Sequence, residues 1–323
     1  MKFGAELLPD KNLNKLDKFA YKLENNGFSQ IWVADHFNNR NTYCVLTSIA
    51  KATDKVKIGP GVTNPYITHP AETASAIQTI NEISNERALF GIGAGDKFTL
   101  NKIGLGWERP LGRIEEAIEI IKSLLAGKKV DFNGDFFELN NAKLDFGANN
   151  SKIPIYLGGQ GPNMLKLAGE IADGVLINAS NPEDIRFGIK QIEKSNSDTE
   201  IAAHTSFSIG EDGEKAKEKA GNVVAFIVAS VPESILERHN ISKERAKKIA
   251  KEIKKGDYQK ATSLVNKRMI EAFSVSGNVN GCIRQIDELK NAGADNVVLG
   301  SPIGYKKTRG IELIGKKIIP NYQ

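Results

Sequence analysis

The sequence predicts an α/β fold, a (β/α)8 barrel of parallel strands. Three observations carry that expectation. Short apolar runs alternate with segments of helical spacing, eight such runs can be counted, and glycine-rich or polar turns recur where the runs end. An open doubly wound sheet is the alternative arrangement of the same alternation.

In order, residues 3–8 read as a strand. A helix over 13–23 follows, with Leu16, Phe19, Ala20 and Leu23 on one face and Gly27 near its end. Strand 30–34 (QIWVA), helix 43–52, strand 56–62, helix 71–83 and strand 87–93 continue the pattern, and after a long connection comes a fourth barrel helix at 111–125. The fifth strand opens IPIYLGGQGPN, where an apolar run meets Gly158, Gly159 and Gly161 before a segment of helical spacing that begins at Met164. Helix 164–171, strand 174–178, helix 185–192, strand 202–209, helix 214–228, helix 279–291, strand 296–299 and helix 309–318 complete the alternation. Two insertions interrupt it. Residues 128–146 alternate around Asn133-Gly134 and read as a β-hairpin after the fourth helix, and 232–269 read as a charged helical insertion before the eighth strand. No internal repeat or linker divides the chain, so a single barrel domain over 1–323 is expected.

Hydrophobic residues make up 40% of the chain and charged residues 26%, the balance of a soluble globular protein. Lys plus Arg exceed Asp plus Glu by 44 − 39 = 5, but the excess is scattered and no basic stripe with interleaved aromatics suggests a nucleic-acid partner. Cys44 and Cys282 lie apart, without metal-ligand spacing, so neither a disulfide framework nor a metal site is expected. With no signal-peptide core and no membrane-length run, the expected location is the cytoplasm.

In a barrel, functional groups collect at the carboxyl ends of the strands. Glu6 stands near the end of the first strand, in phase with Gly4 and opposite Phe3, Ala5 and Leu7, so it points inside if the larger apolar face packs on helices. A buried carboxylate there needs a partner or a raised pKa and makes Glu6 a candidate general acid; the plainer reading is a solvated rim residue. Asp35 and His36 follow the second strand, His36 as a ligand donor or simply a loop cap. The third strand ends GPGVTNP, the fourth FGIGAGD, and these glycine clusters together with Gly158 to Gly161 suggest small residues along the wall of a flat ligand. The fifth strand's glycine turn at a helix start suits an anion such as a phosphate, or is only a tight turn. A phosphate loop of the Gly-x-x-x-x-Gly-Lys-Ser/Thr type, a Gly-x-Ser-x-Gly elbow and a clustered metal-ligand set are all missing from the sequence, which leaves the chemistry to an organic cofactor.

The segments QIWVADHF, VKIGPGVTNPYITHPAETA, ALFGIGAGD, ERPLGRIEEAIEIIKSLL and IPIYLGGQGPNMLKLAGEIADGVLIN together resemble the bacterial-luciferase-like superfamily. Within it they are most similar to the coenzyme F420-dependent methylene-tetrahydromethanopterin reductases of methanogenic archaea. The resemblance runs in order over essentially the whole chain. It implies a luciferase-like barrel that holds the deazaflavin coenzyme F420 and reversibly passes a hydride to methylene-tetrahydromethanopterin, with Glu6 as the proton donor. It further implies a non-prolyl cis peptide at Gly61-Val62 behind the deazaflavin ring. Asp35, His36, Thr63, Asn64, Ala94, Gly95 and Asp96 would line the ring and its side chain. Gly158, Gly159, Gln160 and Gly161 would meet the phosphate, with Asn178 and Ala179 nearby. A homodimer or higher homo-oligomer through the helices after the second and third strands is implied as well. Competing readings on the same barrel are a flavin mononucleotide- or F420-dependent monooxygenase or alcohol dehydrogenase, and a flavin-binding protein without turnover.

Overall fold

The computed structural model describes residues 1–147, 152–193 and 198–323. Eight parallel strands form the barrel: β1 (Lys2–Leu7), β2 (Gln30–Val33), β3 (Lys57–Pro60), β4 (Phe90–Gly93), β7 (Ile155–Gly159), β8 (Gly174–Asn178), β9 (Glu200–Ile209) and β11 (Asn296–Ile303). They pair in the order β3-β2-β1-β11-β9-β8-β7-β4. Ile58 opposite Ala88 and Thr63 opposite Ile92 bring β3 and β4 together and close the ring. The first strand thus pairs with the last, Lys2 opposite Asn296.

The period of two along β1 sorts its side chains as expected. Phe3, Ala5 and Leu7 enter the large apolar layer between strands and helices. A Cβ on Gly4 would instead meet Val298 and Trp32, which belong with Leu89, Tyr156, Leu176 and Ala202 to a separate apolar cluster filling the barrel interior. Because parallel strands in a barrel are covered on both sides, they read as continuous apolar runs rather than alternating ones; β2, QIWV, is buried throughout. The helices earn their places by one-sided burial. In α1 (Leu13–Asn25), Leu16, Ala20 and Leu23 face the core, the side chain of Asn12 caps the start, and Gly27 turns the chain away at φ 82°. In α5 (Pro110–Leu125), Ile114, Ala117, Ile118 and Ile121 form the stripe, each large side chain contributing roughly 1.5–3 kcal/mol by leaving water. The buried Arg87 guanidinium, donating to the carbonyls of Ala50, Thr53, Val56 and Ser84, ties α2 (Thr42–Ala52), the approach to β3 and the end of α3 (Pro70–Ile83) together.

Both insertions are present, with adjusted bounds. The hairpin is β5 (Val130–Asn133) with β6 (Glu138–Ala142), and it follows α5 because a short α4 (Lys97–Asn101) occupies the connection after β4. Glu116 of α5 accepts the N–H groups of Asp135 and Phe136 and so holds the hairpin turn. The helical insertion comprises α9 (Glu233–Arg238), α10 (Lys243–Lys254), α11 (Tyr258–Ser263) and α12 (Lys267–Phe273), packed on α8 (Gly213–Ser230) around Val224, Leu236, Ile249 and Phe273. Ala179, at the carboxyl end of β8, belongs to the same cluster, which places the insertion over the mouth end of the barrel. It is anchored to α7 (Pro182–Ile192) through buried Asp184, which accepts from Arg238 at 2.6 Å and faces His239 at 3.0 Å.

Two elements differ from the sequence reading. Residues Ser274–Gly277 form an additional strand, β10, parallel to the last half of β9, where β8 has already ended at Asn178 opposite His204. Their sequence, SVSG, has one apolar side chain and no run to mark it. After α6 (Pro162–Ile171), α13 (Val279–Asn291) and α14 (Lys307–Leu313), the chain ends in a π turn at Ile314–Ile318 and a 3-10 turn at Ile319–Tyr322 instead of one helix over 309–318.

Candidate active site

Glu6 lies at the mouth on the interior face, with its side chain 19% exposed. Its Oε2 is 3.9 Å from His204 Nε2 on β9 and accepts a long bond, 3.4 Å, from the N–H of Ser301 on β11. Burial acts to raise the Glu6 carboxyl, but contact with His204 and its charge, the Ser301 N–H and the charge of His36 outweigh it, and the group is held below the ordinary carboxylate value of 4.5. The largely shielded carboxylate therefore has the partner its position demands.

The rest of the mouth gathers the predicted rim residues from five further strand ends. Asp35 accepts from the Thr63 hydroxyl at 2.7 Å and from Thr42 at 3.0 Å, which links the ends of β2 and β3. The Tyr43 hydroxyl is buried beside Thr63 and Asp35, and burial pushes its pKa up. His36 is exposed on the following loop. Asn64, nearly buried, accepts the N–H groups of Tyr66 and Ile67. Asp96 caps α4 through the Thr99 N–H, and the Ala94 carbonyl accepts from the Trp107 indole. Several of these polar atoms thus serve the protein's own loops.

The peptide Gly61-Val62 is cis. The glycines around it have a different use from the one expected. A Cβ at Gly93 would sit 2.7 Å from Val62, at Gly158 3.2 Å from Val62, at Gly61 2.7 Å from Trp32, and at Gly91 it would collide with the Pro60 carbonyl. These positions are small because Val62 and Trp32 fill the space, not because the wall is left open for a ligand. Val62 thereby becomes the apolar floor of the mouth. Gly159 is likewise taken up, its Cβ direction pointing 2.8 Å from Met164.

Gly161 is the exception. No atom lies within 4 Å of its Cβ position. As N-cap of α6 it offers no side-chain cap, and Pro162 follows at the first helical position, so the free N–H groups of the first turn face open space. Gln160 donates from Nε2 to the Asn178 carbonyl at 2.7 Å, bracing this turn against the end of β8. Asn178 accepts the Ala179 N–H, and Ala179 takes a left-handed φ of 47° under the helical insertion. An apolar floor, an uncapped helix start and a paired carboxylate at one mouth fit a flat ring carrying an anionic tail.

Among the described residues no group of three or more His, Cys, Asp or Glu could hold a metal, and no helix is long and apolar enough to cross a membrane. Sequence reasoning missed His204 and Ser301. The signal was present for His204, since Ala202, His204, Ser206 and Ser208 share one face of β9 while Ala203, Phe207 and Ile209 join the outer core. Ser301 gave none, because a bulge between Gly300 and Pro302 redirects its N–H.

Comparison with known proteins agrees with this geometry. The family model described as luciferase-like monooxygenase matches residues 1–296. A 5,10-methylenetetrahydromethanopterin reductase of Archaeoglobus fulgidus is 47% identical, with 99% of each chain covered, and one of Methanolobus tindarius is 44% identical over 99% of this chain and all of the other. The structure of the coenzyme F420-dependent tetrahydromethanopterin reductase from Methanopyrus kandleri superposes with a TM-score of 0.95 at 43% identity, covering 100% of this chain and 99% of that one. A barrel with this mouth and relatives this similar over both full lengths places the chain in the luciferase-like monooxygenase family, among its 5,10-methylenetetrahydromethanopterin reductases.

Proposed function

We infer that this chain is a coenzyme F420-dependent oxidoreductase that reversibly converts methylene-tetrahydromethanopterin to methyl-tetrahydromethanopterin. The observation that carries the reading beyond its relatives is the inward carboxylate Glu6 at a mouth that otherwise offers an apolar floor and an anion-ready helix start. The hydride is the contribution of the reduced cofactor when bound. What remains for the protein is to open the one-carbon bridge, which needs a proton on one nitrogen and leaves a cationic carbon to be steadied. Glu6 serves both needs, as proton donor and then as the anion beside the cation. Two stacked ring systems over the mouth would remove the water that still reaches Glu6, and desolvation favours its neutral, donating form.

In this reading Val62, Ala94 and Gly95 back the deazaflavin, and Asp35, His36, Gly61, Thr63, Asn64 and Asp96 surround its ring and side chain. The phosphate lies at Gly158, Gly159, Gln160 and Gly161, near Asn178 and Ala179. Residues 1–323 form one barrel domain, supported by a core cluster that runs from Phe3 to Ile319. A homodimer through α2 and α3 belongs to the same proposal, supported by the small side chains of those helices.

The test is an anaerobic titration with F420 and, separately, flavin mononucleotide, followed by methylene-tetrahydromethanopterin added to the reduced F420 complex. Oxidation of F420 only in the presence of the pterin is expected. Tight flavin mononucleotide binding without pterin-dependent oxidation would overturn the assignment.

A further inference from the structure

The mechanism so far leaves one largely shielded titratable neighbour of Glu6 unused. His204 stands on β9, two strands from Glu6 on β1, with β11 between them. In a filled barrel each layer of inward side chains comes from alternate strands, so residues two strands apart can share a layer, and how closely they meet depends on the residue between them. Here the intervening residue is Gly300. A Cβ on it would fall 3.4 Å from Glu6 Oε2 and 3.5 Å from His204 Nε2, and 3.0 Å from the Thr205 carbonyl. The missing side chain is the gap across which carboxylate and imidazole meet at 3.9 Å. Both are mostly shielded, 19% and 18% exposed. The backbone of His204 is fixed from the other side, its carbonyl accepting the Ser180 N–H at 3.2 Å.

We propose that His204 is a positioning residue for the hydride-transfer reaction, holding the Glu6 carboxyl at the barrel mouth through the gap at Gly300 and governing when that carboxyl carries a proton. The inference rests on the reading of Glu6 as proton donor. Other charges facing Glu6 are His36 from the loop after β2 and Lys307 at the start of α14, itself beside Asp10 and Lys11. His36 is exposed and acts on Glu6 through its charge, while Lys307 spreads over the Phe19 ring at 4.0 Å. His204 is the only one of these with an ion-pair contact to Glu6 among the described residues.

Removing the imidazole takes away a group that favours the carboxylate, so Glu6 must hold its proton to higher pH. In His204→Gln the acid-dependent limb of kcat/KM is expected to move up by about one pH unit, with maximal kcat lowered about tenfold and F420 affinity unchanged. Infrared difference spectra of the ligand-free protein, with Glu6→Gln to identify the band, should show the Glu6 carboxyl protonating at higher pH in the variant. In the Glu6→Gln background, adding His204→Gln should cost no further activity, since the two act as a unit. A pH profile and carboxyl titration that superpose on the unaltered protein would overturn the role of His204. Near-normal turnover in Glu6→Gln alone would instead overturn the proton-donor reading beneath it.

Discussion

Gly161→Asp separates the phosphate assignment from every structural role of the same glycine, because the two predict changes of opposite sign. The φ of −81° and ψ of 151° at Gly161 are extended backbone that any residue adopts, and no neighbour lies within 4 Å of the new Cβ. Aspartate is a favoured N-cap, so its carboxylate would accept a first-turn N–H and complement the helix dipole. Together these are worth about 0.5–1 kcal/mol, and the melting temperature should rise by about 1–3 °C. The same carboxylate would occupy the place assigned to the cofactor's phosphate. A lost charge-assisted bond costs about 1.5–3 kcal/mol, and repulsion at roughly 4 Å adds at least about 1 kcal/mol even at the dielectric of water. At about 1.4 kcal/mol per tenfold, F420 affinity should fall about 100-fold or more. The assay is fluorescence titration of F420 beside a deazaflavin that lacks the phosphate tail, with a thermal melt of each protein. The tailless ligand should bind both proteins equally, and the deficit for F420 should shrink with added salt. A more stable protein that binds F420 as before would place the phosphate elsewhere.

Three further outcomes are expected. Glu6→Gln keeps the size of the side chain and should lower turnover about 100-fold or more, with F420 affinity within about twofold, as steady-state oxidation and equilibrium titration will show. Glu24 accepts the N–H groups of Asp54, Lys55 and Val56; burial opposes its charge, but these bonds and the charge of Arg87 hold its pKa below the ordinary 4.5. A depressed folded-state pKa contributes stability above 4.5 that is lost as pH falls through the folded value, so Glu24→Gln should melt lower at neutral pH and converge on the unaltered protein in acid. Cys282 is buried, which pushes its thiol up to about 12, whereas Cys44 is exposed on α2. Native labelling should therefore report Cys44 alone, slowly where copies pair through α2 and faster on dilution; one concentration-independent rapid rate would remove α2 from the interface.

The barrel was legible because its strands are buried on both faces and its helices on one, so each declares its period without help from the tertiary structure. Elements whose stability comes from neighbours were not. β10 is a strand only because β9 outruns β8 and leaves an edge for Ser274 to Gly277 to fill. The inward face of Glu6 could be read from alternation alone, and so could that of His204, had the same test been applied to β9. What alternation cannot supply is which inward residues of different strands meet.

The glycines show why composition misleads at that step. A run such as FGIGAGD states that side chains are excluded along β4, yet not what excludes them. The structure answers position by position: the Pro60 carbonyl and Trp32 at Gly91, Val62 at Gly93, and Asn64 with Leu100 at Gly95, where φ is 65°. At Gly300 the excluded volume admits two side chains of the same protein, whereas at Gly161 it stays open. A glycine at a strand end is thus evidence of close approach by something, and a ligand is one candidate among several. The positions worth testing as ligand contacts are those where a built Cβ meets nothing, and at this mouth that criterion selects Gly161 over the more conspicuous Gly158-Gly159 pair.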